Sequence, residues 1–155
     1  MRPILLCFAF VCLHASAQIV VRVNGAPPVR IESMDLEKMP HHAAMLNDHG
    51  KQIAYEGVLL HDVLAKAGVD FGKGLRGKQL STYVAALASD GYQVVFSLAD
   101  FDPTIVDSGI IVADKRKDKA LDTKEGPLRI IVPHDQRPAR SLKMLQEIDI
   151  VQLKK

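Results

Sequence analysis

Both cysteines of this 155-residue chain, Cys7 and Cys12, lie near its start. The stretch around them reads as a leader rather than as part of the fold. Arg2 supplies a positive start, an apolar run follows over residues 4–13, and Ala15-Ser16-Ala17 is an A-x-A cleavage site. That run is too short to cross a bilayer as a mature helix. Neither cysteine sits in a lipid-attachment context. Residues 1–17 are therefore expected to be a secretory signal peptide, and residues 18–155 a single domain without cysteine. Such a domain has no disulfide, no thiolate nucleophile and no thiolate metal ligand. Apolar burial alone must hold it together. At this length one core is expected, burying roughly two-thirds of the unfolded surface.

Charge excludes one class of partner. The chain carries 20 Lys and Arg against 18 Asp and Glu; without Arg2 the balance is 19 to 18. General nucleic-acid binding needs a strong one-signed patch, which this balance does not suggest. No second apolar stretch is long enough for a span, so direct membrane insertion is not expected.

The periodicities predict an α+β chain, mostly β, with short helices over the sheets. Residues 19–23 are β-rich and end at the Asn24-Gly25 turn. Pro27-Pro28 keeps the next residues extended, and Ser33 reads as the N-cap of a short helix stopping at Pro40. Residues 43–46 and 52–55 flank Asn47-Asp-His-Gly50 as a hairpin. Leu60, Val63, Leu64 and Ala67 recur at helical spacing, closed by Gly68. Residues 82–88 and 92–96 form a second hairpin across Ser89-Asp90-Gly91. Residues 97–101 make a helical turn, and 109–113 and 128–132 are buried strands. Residues 114–119 form a charged turn, and the chain ends in a helical turn followed by a strand over 149–153.

Several motifs are weaker than they look. Gly72-Lys-Gly-Leu-Arg-Gly77-Lys78 has the spacing of a phosphate-binding loop, but Gln79 stands where a hydroxyl is needed. A helix precedes it and a strand follows, the reverse of the required context, so it reads as a flexible loop. His41, His42 and His49 lack carboxylates at ligand spacing, and adjacent residues of a strand face opposite ways. They and His61, expected on the solvent side of its helix, read as surface histidines. There is no G-x-S-x-G elbow.

The densest chemistry is Glu125-Gly-Pro-Leu-Arg129-Ile-Ile-Val-Pro133 with Arg137-Pro-Ala-Arg140-Ser141-Leu-Lys143. It places a turn, a buried strand and four cations in nineteen residues. Arg129 has two readings, a salt bridge to Glu125 or Asp114, or a ligand cation. Arg137, Arg140 and Lys143 are either a solvated basic face or a grip on phosphate or a planar ring.

The ordered set Tyr55-x-Gly57-Val-x-Leu60-x-Asp62-Val-Leu64-x-x-Ala67-Gly68, Ser89-Asp-Gly-Tyr92, Gly126-Pro-Leu-Arg129-Ile-Ile-Val-Pro133 and Ala139-Arg-Ser-Leu-Lys143 resembles the molybdopterin-binding domain of the sulfite oxidase family, over about residues 53–151. The resemblance implies that family's single mostly β, α+β fold. It also implies that Arg129, Arg140 and Lys143 help hold a pyranopterin and its phosphate. Three departures stand out. The family's redox enzymes ligate molybdenum through a cysteine, absent here from the corresponding residues 40–54. Met144 follows Lys143 where tryptophan is usual. Glu125 stands where a histidine is often found. Glu125 either pairs with Arg129 or accepts two hydrogen bonds from the amino edge of a pterin.

These departures make the resemblance strongest to small exported members of the fold that bind free pterins and report them to a membrane-bound cyclic-di-GMP enzyme. The expectation is a periplasmic pterin sensor without redox catalysis. Its ligand is a free pterin, with reduced forms among the candidates, and molybdenum is not expected. Its partner is the periplasmic domain of a membrane-bound signalling protein. The pterin stacks near Tyr92 or Tyr55, Glu125 or Asp90 reads its edge, and Arg129, Arg137, Arg140, Ser141 and Lys143 line the rest. Two rivals remain: a molybdenum-cofactor oxidoreductase or its accessory subunit, and a partner-docking module without ligand.

Overall fold

The computed structural model describes residues 17–154. The expected signal peptide lies outside the described residues except for Ala17.

The chain forms β1 (Gln18–Val23), β2 (Val29–Glu32), α1 (Ser33–Glu37), β3 (His41–Asp48), β4 (Lys51–Leu59) and α2 (Leu60–Lys66). Two short 3-10 turns, Gly72–Gly74 and Gly77–Ser81, lead into β5 (Thr82–Ala88) and β6 (Gln93–Ser97). A further 3-10 turn, Leu98–Phe101, precedes β7 (Ile111–Arg116), β8 (Lys119–Ala120) and β9 (Arg129–Ile131). A last one, Pro138–Arg140, leads into β10 (Leu145–Gln152). The result is mostly β, α+β, as expected.

Two sheets share the work. The first has the order β2-β1-β10-β5-β6, with β1 and β10 parallel and the other pairs antiparallel. The second runs β3-β4-β7-β8, and β9 also pairs with β7. The main core takes Ile19, Val84, Phe96 and Ile148 from the first sheet, Val58, Val112 and Ile130 from the second, and Leu60, Val63 and Leu64 from α2. Successive strand residues point to opposite faces. Ile111, Ala113 and Ile131 therefore leave the main core and join Ala44, Leu46 and Tyr55 in a second, smaller cluster.

Close approach of β4 and β7 depends on one glycine. A Cβ on Gly57 would lie 2.0 Å from the carbonyl oxygen of Val112. The register also shifts between Glu56 and Gly57.

Local expectations differ from the structure at several points. The N-cap of α1 is Glu32 rather than Ser33, because the Asp35 carboxylate accepts from the Glu32 amide at 3.2 Å while the Ser33 hydroxyl donates to the Ala17 carbonyl at 2.8 Å. The first hairpin has strands longer than expected and a two-residue turn, His49 and Gly50, both with positive φ. Residues 29–32 form an edge strand rather than a merely extended stretch. The charged turn narrows to Lys117 and Asp118, both at positive φ, because β7 runs on to Arg116 and pairs with β8. The final strand begins at Leu145, four residues before the expected start, and lies inside the first sheet. Its apolar alternation is interrupted by a bulge between Leu145 and Glu147, which hides the period-2 pattern. The glycine-rich segment does lie between α2 and β5, with the helix before and the strand after.

Candidate functional site

The cations of the C-terminal segment separate into two places. Arg129 opens β9 rather than lying mid-strand, and parity places its side chain with Ile131, on the side of the smaller cluster. It is 1% exposed. Its Nη1 donates to the Tyr55 hydroxyl at 3.0 Å and lies 3.4 Å from Glu125 Oε2. Its Nη2 donates to the Ser141 carbonyl at 3.1 Å, and its guanidinium carbon lies 4.8 Å from the Tyr55 ring centre. Its Nε has no hydrogen-bond partner among the described residues. Tyr55 donates to Glu125 Oε2 at 3.0 Å, and Arg116 Nη1 donates to Glu125 Oε1 at 2.9 Å.

The Glu125 carboxylate is thus held by two guanidinium groups and a phenol. Of the two readings of Glu125 and Arg129, the structure contains the salt bridge. Burial strips water from the Tyr55 hydroxyl and pushes its pKa up; the Arg129 charge opposes this, and the Glu125 carboxylate beside it adds to the rise. The Tyr55 hydroxyl and then the Glu125 charge hold Arg116 protonated above its ordinary range.

This network fixes the segment that follows. The Ser141 carbonyl is held by Arg129, and its hydroxyl accepts from the Val132 amide at 2.9 Å. The Ile130 amide donates to the Leu142 carbonyl at 2.8 Å, and the Met144 amide to the Glu125 carbonyl at 2.9 Å. Met144 takes a positive φ of 50°, and its carbonyl accepts from the Ser89 amide at 3.0 Å. Residues 141–145 are therefore stitched to β9 on one side and to the β5–β6 turn on the other. Ser141 and Leu142 are buried, and Lys143 is turned outward.

Outward is a cavity of about 410 Å³ lined by His49, Asp90, Tyr92, Arg137, Pro138, Ala139, Ser141, Leu142 and Lys143. Three chain segments meet there: the β3–β4 turn, the β5–β6 turn and the 3-10 stretch before β10. The Tyr92 ring is 51% exposed, and its hydroxyl is anchored by donating to the Ala139 carbonyl at 2.8 Å. Asp90 Oδ1 accepts from the Tyr92 amide at 3.0 Å. Arg137 and Lys143 make no ion pair or hydrogen bond through their side chains among the described residues. The cavity therefore offers an aromatic face, one carboxylate and two free cations, with a volume ordinary for a small-molecule site.

Of the residues singled out from sequence, Asp90, Tyr92, Arg137, Ser141 and Lys143 converge on this cavity. Tyr55, Glu125 and Arg129 do not line it; they form the buried network behind it. Arg140 turns away from it. Its Nε and Nη2 reach the Asp135 carboxylate at 2.9 and 2.5 Å, and its guanidinium lies 5.3 Å from the Phe96 ring centre. That ion pair raises the Arg140 pKa.

Sequence reasoning missed His49, whose place in the cavity follows from which loops converge, and Arg116, read only as part of a charged turn. It also placed His61 toward solvent. The ring is only partly exposed and packs against Phe71, with centres 4.5 Å apart and planes tilted by 43°, and Nδ1 lies 2.8 Å from Asp62 Oδ1. No group of three or more His, Cys, Asp or Glu placed to hold a metal ion occurs among the described residues.

A family model described as the oxidoreductase molybdopterin binding domain matches residues 32–155. The fold is also similar to the sulfane dehydrogenase SoxCD from Paracoccus pantotrophus, with a TM-score of 0.65 and 17% identity. That match covers 86% of this chain and 38% of the other, so this chain spans well under half the length of that relative. A comparison with curated protein sequences finds no match.

Proposed function

Because the chain belongs to the oxidoreductase molybdopterin binding domain family, we propose that it is a pterin-binding protein whose ligand sits in the cavity at Tyr92. The observation that carries this reading is the set of groups that meet there: the half-exposed Tyr92 ring, the Asp90 carboxylate with one oxygen taken by the Tyr92 amide, and the free Arg137 and Lys143. A flat, electron-poor ring can stack on the tyrosine face. A carboxylate suits the adjacent N–H groups of a pterin edge, and Asp90 replaces Glu125 in that role, since Glu125 is engaged by Tyr55, Arg116 and Arg129 and does not line the cavity. The cations suit a phosphate or an electron-rich carbonyl edge.

The donor set fits the organic part of a molybdenum cofactor better than its metal. Residues 17–154 contain no cysteine to supply a thiolate ligand. We infer that the protein binds a free pterin, without molybdenum and without redox chemistry of its own. The leader-like residues 1–17 favour export, and the resemblance to small exported pterin binders favours the periplasm and a membrane-bound cyclic-di-GMP enzyme as the partner. Ligand occupancy would act on that partner only through differential affinity of the filled and empty forms.

The test is to express the full chain with its leader, purify it, and analyse released small molecules by fluorescence alongside metal content. About one equivalent of pterin without molybdenum is the expected result. Stoichiometric molybdenum would overturn the reading in favour of an oxidoreductase. No released pterin, and no binding of tetrahydropterins added anaerobically, would leave a partner-docking domain.

A further inference from the structure

A second cavity lies on a different part of the surface, and the pterin reading does not use it. Its wall begins in the glycine-rich segment. Residues 71–81 carry Lys73, Arg76 and Lys78 and no acidic residue, in a chain whose net charge is only +2. Lacking the strand-before, helix-after context of a phosphate loop, the segment folds as the 3-10 turns Gly72–Gly74 and Gly77–Ser81. These turns sit against the end of β10. The Leu153 amide donates to the Ser81 carbonyl at 3.2 Å, and the Gln152 side-chain amide donates to the Lys78 carbonyl at 3.2 Å. Between them is a cavity of about 520 Å³ lined by Gly77, Lys78, Ser81, Gln152, Leu153 and Lys154.

We propose that this surface docks on an anionic lipid bilayer. Leu80 is 48% exposed and Leu153 62% exposed, and both belong to the elements that build the cavity. Lys73, Arg76, Lys78 and Lys154 make no ion pair among the described residues. Among the described residues no carboxylate lines the cavity. Exposed leucines among free cations are the pattern of a surface that lies in a headgroup layer: apolar tips enter the acyl boundary while ammonium groups meet lipid phosphates. A soluble anion would use the lysines and leave both leucines without a role. A protein partner would need a much larger continuous contact than two leucines begin to supply. Lys78 and Lys154, on the cavity lining, hold a headgroup phosphate; Leu80 and Leu153 dip beside it. This surface shares no residue with the cavity at Tyr92.

The proposal is tested by co-sedimenting the full purified chain with vesicles of phosphatidylcholine alone and of phosphatidylcholine with one part in three phosphatidylglycerol. Binding is expected to the mixed vesicles only and to weaken with salt. Each lysine near the surface is worth about a five-fold change in partitioning, so K78Q/K154Q should bind about 25-fold more weakly. L80S/L153S should also lose several-fold. Both variants should keep the wild-type melting temperature and wild-type pterin binding, which separates failure here from failure of the pterin reading. Equal binding to both vesicle types, or binding unchanged in both variants, would overturn the proposal. So would micromolar binding of inorganic phosphate without vesicle binding, which would assign the cavity to a soluble anion.

Discussion

Replacing Arg129 with Met tests whether this arginine is a scaffold cation rather than a ligand cation. Met fills much of the volume but removes the charge. The side chain is 2% exposed, so solvent cannot replace what is lost. Breaking a buried pair by removing one partner costs about 3–5 kcal/mol, mostly from the charge left behind. Here Glu125 keeps Arg116 at 2.9 Å, which moves the cost toward the lower end. The Ser141 carbonyl loses its donor, which adds about 1–3 kcal/mol if no water reaches it. The expected loss is therefore about 4–6 kcal/mol. At about 3–4 °C per kcal/mol for a chain of this length, the melting temperature should fall by roughly 12–24 °C. Urea unfolding of R129M, E125Q and the double variant gives the coupling directly. E125Q should cost about 3 kcal/mol, since it leaves Arg129 buried beside a neutral amide. The double variant should be more stable than the sum of the singles by at least about 1.5 kcal/mol. A loss under about 1 kcal/mol for R129M, or additive singles, would refute a coupled buried network.

Tyr92→Ala should weaken pterin binding about ten-fold in a fluorescence titration and change the unfolding midpoint little, because Tyr92 is half exposed. Asp90→Asn should reduce pterin affinity more than Glu125→Gln does at matched folded fraction, because only Asp90 lines the cavity. Asp102 is fully buried; burial pushes its pKa up, but donation from the Thr104 hydroxyl and amide and from the Gly72 amide outweighs this and holds it below the ordinary value. A depressed folded pKa contributes stability that is present above the unfolded value of about 3.9 and lost as pH falls through the folded one. Urea midpoints should therefore fall more steeply below about pH 4 in the wild type than in D102N, and D102N should cost about 1–3 kcal/mol at neutral pH. Gly57→Ala should fail to yield folded protein in soluble expression, since the clash is with Val112 backbone, which no rotamer change relieves.

The elements legible in the sequence are those whose signal is local. The helix from Leu60 follows from its spacing and from Gly68, which takes a φ of 91° just past the end. The hairpin across Asp90-Gly91 follows from turn chemistry. The long β10 was half legible: its end over 149–153 shows in the sequence, whereas Glu147 pairs along β1 next to Asp149, with Arg22 within ion-pair reach of both. A bulge then offsets the apolar alternation that would have extended it. The site was legible in composition and not in arrangement. Local pattern says that Arg129, Arg137, Arg140 and Lys143 are close in the chain; it does not say which faces they take.

That partition follows from backbone geometry at three points. Strand parity in β9 sends Ile130 into the main core, so Arg129 must share the opposite face with Ile131, where Tyr55 and Glu125 receive it. The 3-10 turn Pro138–Arg140 then aims Arg140 at Asp135 and away from the cavity while leaving Pro138 and Ala139 on its wall. Finally, the positive φ at Met144 follows Lys143 and directs the chain back to pair with Glu125 and Ser89, so the lysine stands at the outward bend. Two cations go to structure and two remain free. This division lets the network set the cavity shape without exposing its own charges to the ligand. It also explains why removing Glu125 should alter affinity only indirectly, through the position of Ser141 and Lys143, whereas removing Asp90 acts on the ligand itself.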